Sequence, residues 1–147
     1  MKIYLSLHKQ MEEVKKNLES GFRIHNLILV ESYFSRIDTV EFNNPEIKQN
    51  VQIEGEVSTN PDNNFVSVKQ TLHYSQEYNE TKQVTAKISM VGIFEKVGDS
   101  PLNLEQFGHV NAAAIIYPYI REHLSNLSAK AGLGIIFLPP VNFAKNN

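Results

Sequence analysis

Three consecutive stretches of the chain alternate apolar and polar residues with a period of two. Val51, Ile53 and Val57 alternate with Gln52, Glu54 and Glu56 over residues 48–58. Val66, Val68, Leu72 and Tyr74 alternate with Ser67, Lys69, Thr71 and His73 over 64–77. Val84, Ala86, Ile88 and Met90 alternate with Gln83, Thr85, Lys87 and Ser89 over 82–95. In a strand successive side chains point to opposite faces, so this pattern makes an antiparallel sheet with one polar face. An earlier stretch, 22–37, is different. Its centre, Leu27–Val30, is continuously apolar and predicts a strand covered on both faces.

The breaks between these stretches carry turn chemistry. Asn43-Asn44-Pro45, Asn60-Pro61-Asp62-Asn63 and Gly98-Asp99-Ser100-Pro101 separate them, and Tyr78–Thr81 is short enough for a hairpin. A four-stranded meander is the simplest topology. After Pro101 the period changes, and from 119 to 130 Ile120, Leu124 and Leu127 step by three and four, as on a helix. Pro118 lacks a donor and clashes with the preceding turn, so it predicts two helical pieces or one kinked helix. Gly132 supplies the stop. Residues 9–20 read as a short helix with Met11, Val14 and Leu18 on one face. Strands followed by helices define an α+β fold with helices on one sheet face. The expected organisation is one domain over 1–147: an N-terminal extension at 1–20, the sheet at 22–96, a helical region at 102–131 and a docked apolar segment at 133–143.

Composition narrows the function classes. A net charge of -2 with both signs mixed carries no basic patch for nucleic acid. The absence of cysteine removes disulfides, thiolate metal sites and a cysteine nucleophile. No apolar run approaches the ~20 residues needed to span a bilayer, and no signal-peptide pattern opens the chain, so the expectation is a cytoplasmic protein without membrane insertion. The histidines at 8, 25, 73, 109 and 123 lack the spacing of a zinc helix. Glu54 and Glu56 share a strand face, which reads more simply as a solvated face than as a catalytic pair. No catalytic, cofactor-binding or metal residues are expected. Eight Phe and six Tyr, several in loops and at element ends, are instead a surplus of apolar surface. One domain of this size does not cover both faces of a strand centred on LILV. The implication is a homo-oligomer, a hydrophobic binding surface, or both.

The C-terminal part carries a family resemblance. Gly92-Ile-Phe94, Asn111-Ala-Ala, Tyr117-Pro-Tyr-Ile-Arg-Glu122, Leu127-Ser-Ala-Lys-Ala-Gly132 and Leu138-Pro-Pro-Val-Asn-Phe143 together resemble SecB, the bacterial protein-export chaperone. The order and spacing match over about 86–143. Strands one to three match in pattern, and residues 1–20 have no counterpart. The resemblance implies an α+β holdase that needs no cofactor, assembles as a dimer of dimers, binds unfolded or precursor polypeptides and hands them to SecA. It directs attention to Ala86, Ile88, Met90 and Phe94 on and beyond the inner face of the fourth strand, and to Tyr117, Tyr119, Phe137 and Phe143, for client binding or assembly. Phe137, Val141 and Phe143 are expected to dock the terminal apolar segment on the sheet.

Two departures bear on SecA. Family members present acidic residues there; Glu31 matches, but the neighbouring positions are Ser35 and Lys87. In the family the PVNF segment also leads into a further helix and a tail, whereas here Ala-Lys-Asn-Asn follows Phe143. SecA is therefore a doubtful partner, carried by Glu31 alone. The alternative is a dedicated-partner or scaffold module, or an antitoxin-type chaperone, with this fold and no SecA coupling.

Overall fold

A computed structural model describes residues 21–144. The helix expected over 9–20 lies outside them. Four strands come first: β1 (Phe22–Arg36), β2 (Lys48–Asn60), β3 (Phe65–Tyr78) and β4 (Thr81–Lys96). A short helix, α1 (Leu104–Gln106), opens the helical region. It runs through a π-helical turn at Phe107–Ala112 into α2 (Ala113–Lys130).

All strand pairs are antiparallel, and the spatial order is β1-β4-β3-β2. The α+β class is the one the alternation implied, and β2–β4 form a meander. The first strand departs from the four-strand meander. It lies beside β4, and residues 37–47 carry the chain to the opposite edge, a Greek-key order run in reverse. Asn79 and Glu80, at φ 53° and 64°, make the β3–β4 hairpin with two left-handed residues, the twist that suits a tight hairpin. Two register shifts interrupt β1, between Ile24 and Asn26 and between Leu29 and Glu31.

The inward positions of β3 and β4 pack under α2. Val66, Val68 and Leu72 meet Ile88, Ile116 and Ile120 in one buried cluster. At one end Phe22 stacks on Phe107 with ring centroids 3.8 Å apart, and Phe94 meets Phe107 edge-on at 5.3 Å. A capping box starts the helical region: Asn103 Oδ1 accepts from the Gln106 N–H at 2.8 Å, and Gln106 Oε1 accepts from the Asn103 N–H at 3.1 Å. The π-helical turn comes so near the sheet that a Cβ on Gly108 would stand 2.7 Å from Val57 Cγ1.

Pro118 does not divide the helix. It lies inside a continuous α2. The departure from regular α geometry is the π-helical turn, which ends at Ala112, ahead of the proline. Past the end of α2 the chain turns at Gly132, φ 74°, with the Leu133 N–H bonded to the Ser128 carbonyl at 2.9 Å. Arg36, the last residue of β1, reaches across and donates to the Ala131 carbonyl.

Candidate functional site: a groove beside the crossover

The connection from β1 to β2 is pinned at its middle. Val40 is buried, and Gln83 Oε1 accepts from the Glu41 N–H at 2.6 Å. Asn44 Nδ2 donates to the Tyr78 hydroxyl at 3.3 Å. Between these anchors Phe42 is turned outward and is 51% exposed.

The segment after α2 faces this connection. Ser128 Oγ lies 2.6 Å from the Gly134 carbonyl, and the Tyr117 hydroxyl donates to the Pro139 carbonyl at 2.7 Å. Burial pushes the Tyr117 phenol above its ordinary 10.0, so it remains a donor at neutral pH. Ile136 and Leu138 turn into the core. Phe137 therefore points out, because extended backbone alternates its side chains, and it is 81% exposed. This corrects the expected docking: Ile136 and Leu138 hold the segment together with the partly buried Val141 and Phe143, and Phe137 does not.

Crossover and terminal segment thus wall a groove of about 360 Å³, in which the apolar side chains of Phe42, Ile47, Leu133 and Ile135–Phe137 alternate with the polar Glu41, Asn43, Gln49 and Gln76. Its floor is held by the sheet. Gln49 Nε2 donates to the Tyr74 hydroxyl at 2.9 Å, and burial raises the Tyr74 phenol above its ordinary 10.0. Its rim is apolar, with Ile135 at 62% exposure beside Phe137.

The other candidate residues are dispersed. Ala86, Ile88 and Phe94 lie in the core beneath the helical region, and Met90 is partly buried beside them. Tyr117 is buried against Phe143, edge-on at 5.9 Å. Tyr119 lies exposed on α2. Of the whole set only Phe137 lines the groove. Phe42 and Ile135 were missed as site residues. Phe42 is one of several aromatic residues in loops, with no sequence feature to separate it from the others, and Ile135 follows Gly134 in an apolar run with no period.

The opposite face of the sheet is polar and paired. Glu31 on β1 accepts from Lys87 Nζ on β4 at 2.8 Å. That bond, with nearby Lys69 and His73, holds the Glu31 carboxyl below its ordinary 4.5. His25 Nε2 lies 2.8 Å from Glu95 Oε2, and Thr71 and Ser89 share a 2.8 Å hydroxyl contact at the centre. Along the β1 edge, however, Ile28, Leu29, Val30 and Tyr33 remain 40–53% exposed. Among the described residues no helix is long and apolar enough to cross a membrane.

The fold and groove together define a class: an antiparallel sheet backed by one long helix, with an open groove between crossover and terminal segment that exposes apolar side chains. The sequence profile of the SecB family, preprotein translocase subunit SecB, matches residues 23–145. The chain belongs to the SecB family. It is 33% identical over 101 residues to the protein-export protein SecB of Aromatoleum aromaticum, covering 68% of this chain and 62% of that protein. It is 28% identical over 101 residues to an uncharacterised protein of Methanocaldococcus jannaschii, covering 67% of this chain and 65% of that one. The chain thus spans just under two thirds of the length of these relatives. The fold is also that of a SecB-like chaperone of Mycobacterium tuberculosis, solved in complex with a ChAD peptide from the HigA1 antitoxin. The TM-score is 0.71 at 18% identity, over 88% of this chain and 97% of that one.

Proposed function

We propose that the protein is a SecB-like holdase that keeps non-native polypeptides soluble by covering their apolar segments. The observation that carries this reading is the groove, with Phe42 on one wall and Ile135 and Phe137 on the other, all exposed. Burying apolar surface there is worth roughly 25 cal/mol per Å², and several weak contacts along one client add through effective concentration. The function is binding alone, in the cytoplasm, with no chemical step and no cofactor. The apolar β1 edge supports a homo-oligomer, in which grooves of several copies act on one client.

A dedicated-partner role, such as antitoxin chaperoning, is the second reading. It is favoured by Glu31, which is engaged by Lys87 and so is not offered as a free acidic group to SecA. Aggregation suppression on two unrelated unfolded proteins separates the readings, with the mass of the assembly measured alongside. A general holdase suppresses both at near-stoichiometric ratio, and a double Ile135→Ser, Phe137→Ser variant loses most of that effect. A well-folded oligomer that suppresses neither sinks the general holdase and leaves the dedicated partner.

A further inference from the structure

The two walls of the groove are held in unequal ways. The terminal wall has several anchors: Ser128 and Tyr117 bond the Gly134 and Pro139 carbonyls, and Ile136 and Leu138 are buried. The wall that carries Phe42 has few. Before it, the Ile37 N–H bonds to the Gln83 carbonyl at 3.0 Å, and after it the Ile47 N–H bonds to the Asn44 carbonyl at 3.1 Å. Over residues 39–43 the buried Val40 packs, and every hydrogen bond to the backbone among the described residues comes from the Gln83 side chain. Its Oε1 accepts from the Glu41 N–H at 2.6 Å, and its Nε2 donates to the Glu41 carbonyl at 3.4 Å. One amide thus meets both backbone groups of one residue, as a neighbouring strand would. Gln83 also departs from the pattern of β4. Thr85 and Lys87 share its phase and are partly exposed, yet Gln83 is 3% exposed. Burying a flexible amide costs rotamer freedom and hydration, and the double match to Glu41 offsets that cost. The next residue is the exposed Phe42, and Asn43 beyond it takes a left-handed φ of 55°. Phe42 stands between a clasped residue and a turn.

Resting on the holdase reading, we propose that Gln83 is the positioning residue of the groove. By clasping Glu41 it holds the Phe42 wall in its client-binding arrangement before a client arrives. It touches no client itself, since it is buried and does not line the groove. Without the clasp, the Glu41 N–H and carbonyl turn to water, and residues 39–43 sample arrangements in which Phe42 no longer stands across from Ile135 and Phe137. A client then meets the competent groove for only part of the time, and its apparent affinity falls by that fraction. The loss lies in the association rate, because the competent wall must form first. Dissociation of the formed complex stays near the parent rate.

The test is Gln83→Leu in the full chain, which keeps most of the buried volume and removes both hydrogen bonds. Two quantities are read: amide hydrogen exchange at Glu41, and the binding kinetics of a short capped, fluorescent Leu/Ser-alternating peptide. The Glu41 amide is expected to exchange about tenfold faster in the variant than in the parent. Peptide affinity is expected to fall about tenfold, carried by association. In a Phe42→Ala background the same substitution should cost little more, because the wall it positions has already lost its contact. A merely structural role would instead multiply the two losses, and that result overturns the proposal. So does a Glu41 amide whose exchange is unchanged, or parent-like association by a folded Gln83→Leu. Gln83→Glu guards against a variant that fails to fold. It keeps the acceptor for the Glu41 N–H but sets a carboxylate against the Glu41 carbonyl, so it should also associate slowly at neutral pH, and parent-like association by it is equally fatal. Aggregation suppression on the same samples keeps the two readings apart. Its absence in the parent chain sinks the holdase, while equal suppression by parent and Gln83→Leu sinks only the clasp.

Discussion

β1 and β4 are hydrogen-bonded neighbours and both are rich in apolar residues, yet they end in opposite environments. In β4, Val84, Ala86, Ile88 and Phe94 are at most 2% exposed. In β1, Ile28, Leu29, Val30 and Tyr33 are 40–53% exposed. The difference is position. β4 has a strand on each side and the helical region above it, whereas β1 is an edge whose two register shifts turn successive side chains off a single face. An apolar run therefore states a need for cover and does not say that the same protomer supplies it. A long apolar edge strand is a hazard that native proteins cover. That argues for partner copies at β1 and gives the comparison consequences that can be measured.

The largest effect is expected where cover is complete. Phe107 is fully buried between Phe22 and Phe94 and fastens the π-helical turn to the ends of β1 and β4. Phe107→Ala should cost about 3–5 kcal/mol in denaturant unfolding. A loss below 1 kcal/mol would mean that this end of the core is not packed as described. A smaller effect is expected at Gly92 on β4. A Cβ there would stand 2.7 Å from Phe94 Cε2 and 3.0 Å from Ile116 Cδ1. Gly92→Ala should overpack the sheet–helix interface and cost about 1–3 kcal/mol in the same assay. A neutral result would show that the Phe94 ring has room to move.

The contrast between these strands also marks how far the sequence was legible. The alternation in β2, β3 and β4, interrupted at Gln70, is enough to place their inward faces, because a half-buried strand has only one register that buries its apolar set. The partner of β1 was not legible. Antiparallel pairing with β2 or with β4 satisfies the same local pattern, and the choice depends on where the crossover at 37–47 travels. Of the two outcomes Pro118 allowed, division into two pieces does not occur, since α2 runs through it. The π-helical turn before α2 has no sequence signal of its own. At the site, the Pro139-Pro140 run announced a stiff terminal segment, but the phase of its alternation, which turns Phe137 out and Ile136 in, is set by tertiary contacts. Gln70 was legible in principle, since a polar residue among Val66, Val68, Leu72 and Tyr74 breaks the inward pattern of β3.

At β1 the comparison predicts a split between stability and assembly. Leu29→Ser removes an apolar side chain that this protomer leaves 43% exposed. Its cost in the dissociated protomer should stay within about 0.5 kcal/mol. Its effect on the assembly should be plain: a lower mass by light scattering at a concentration where the parent is associated, and a transition midpoint that depends on protein concentration. An unchanged mass would mean that the copies meet elsewhere and that the edge of β1 serves something else.

The smallest effect is expected where the two strands meet through charge. Glu31 on β1 and Lys87 on β4 are 2.8 Å apart, with both side chains close to half exposed. The hydrogen bond from Lys87 holds the Glu31 carboxyl below its ordinary 4.5, and the same bond holds the Lys87 ammonium above its ordinary 10.5. A depressed carboxyl contributes stability above its unfolded value and loses it as pH falls through the folded one. A raised ammonium contributes below its unfolded value and loses it as pH rises through the folded one. The pair therefore acts between these limits, and salt weakens it because it is exposed. Lys87→Ser should leave neutral-pH stability nearly unchanged. By NMR titration the Glu31 carboxyl should move up toward 4.5, and less so in high salt. A carboxyl that does not move would show that the pair is not formed in solution. If it does move, the variant bears on partner choice. It frees the one acidic group on this face that the family resemblance links to SecA. Tighter SecA binding by Lys87→Ser than by the parent would make this ion pair the feature that turns the protein away from the export motor.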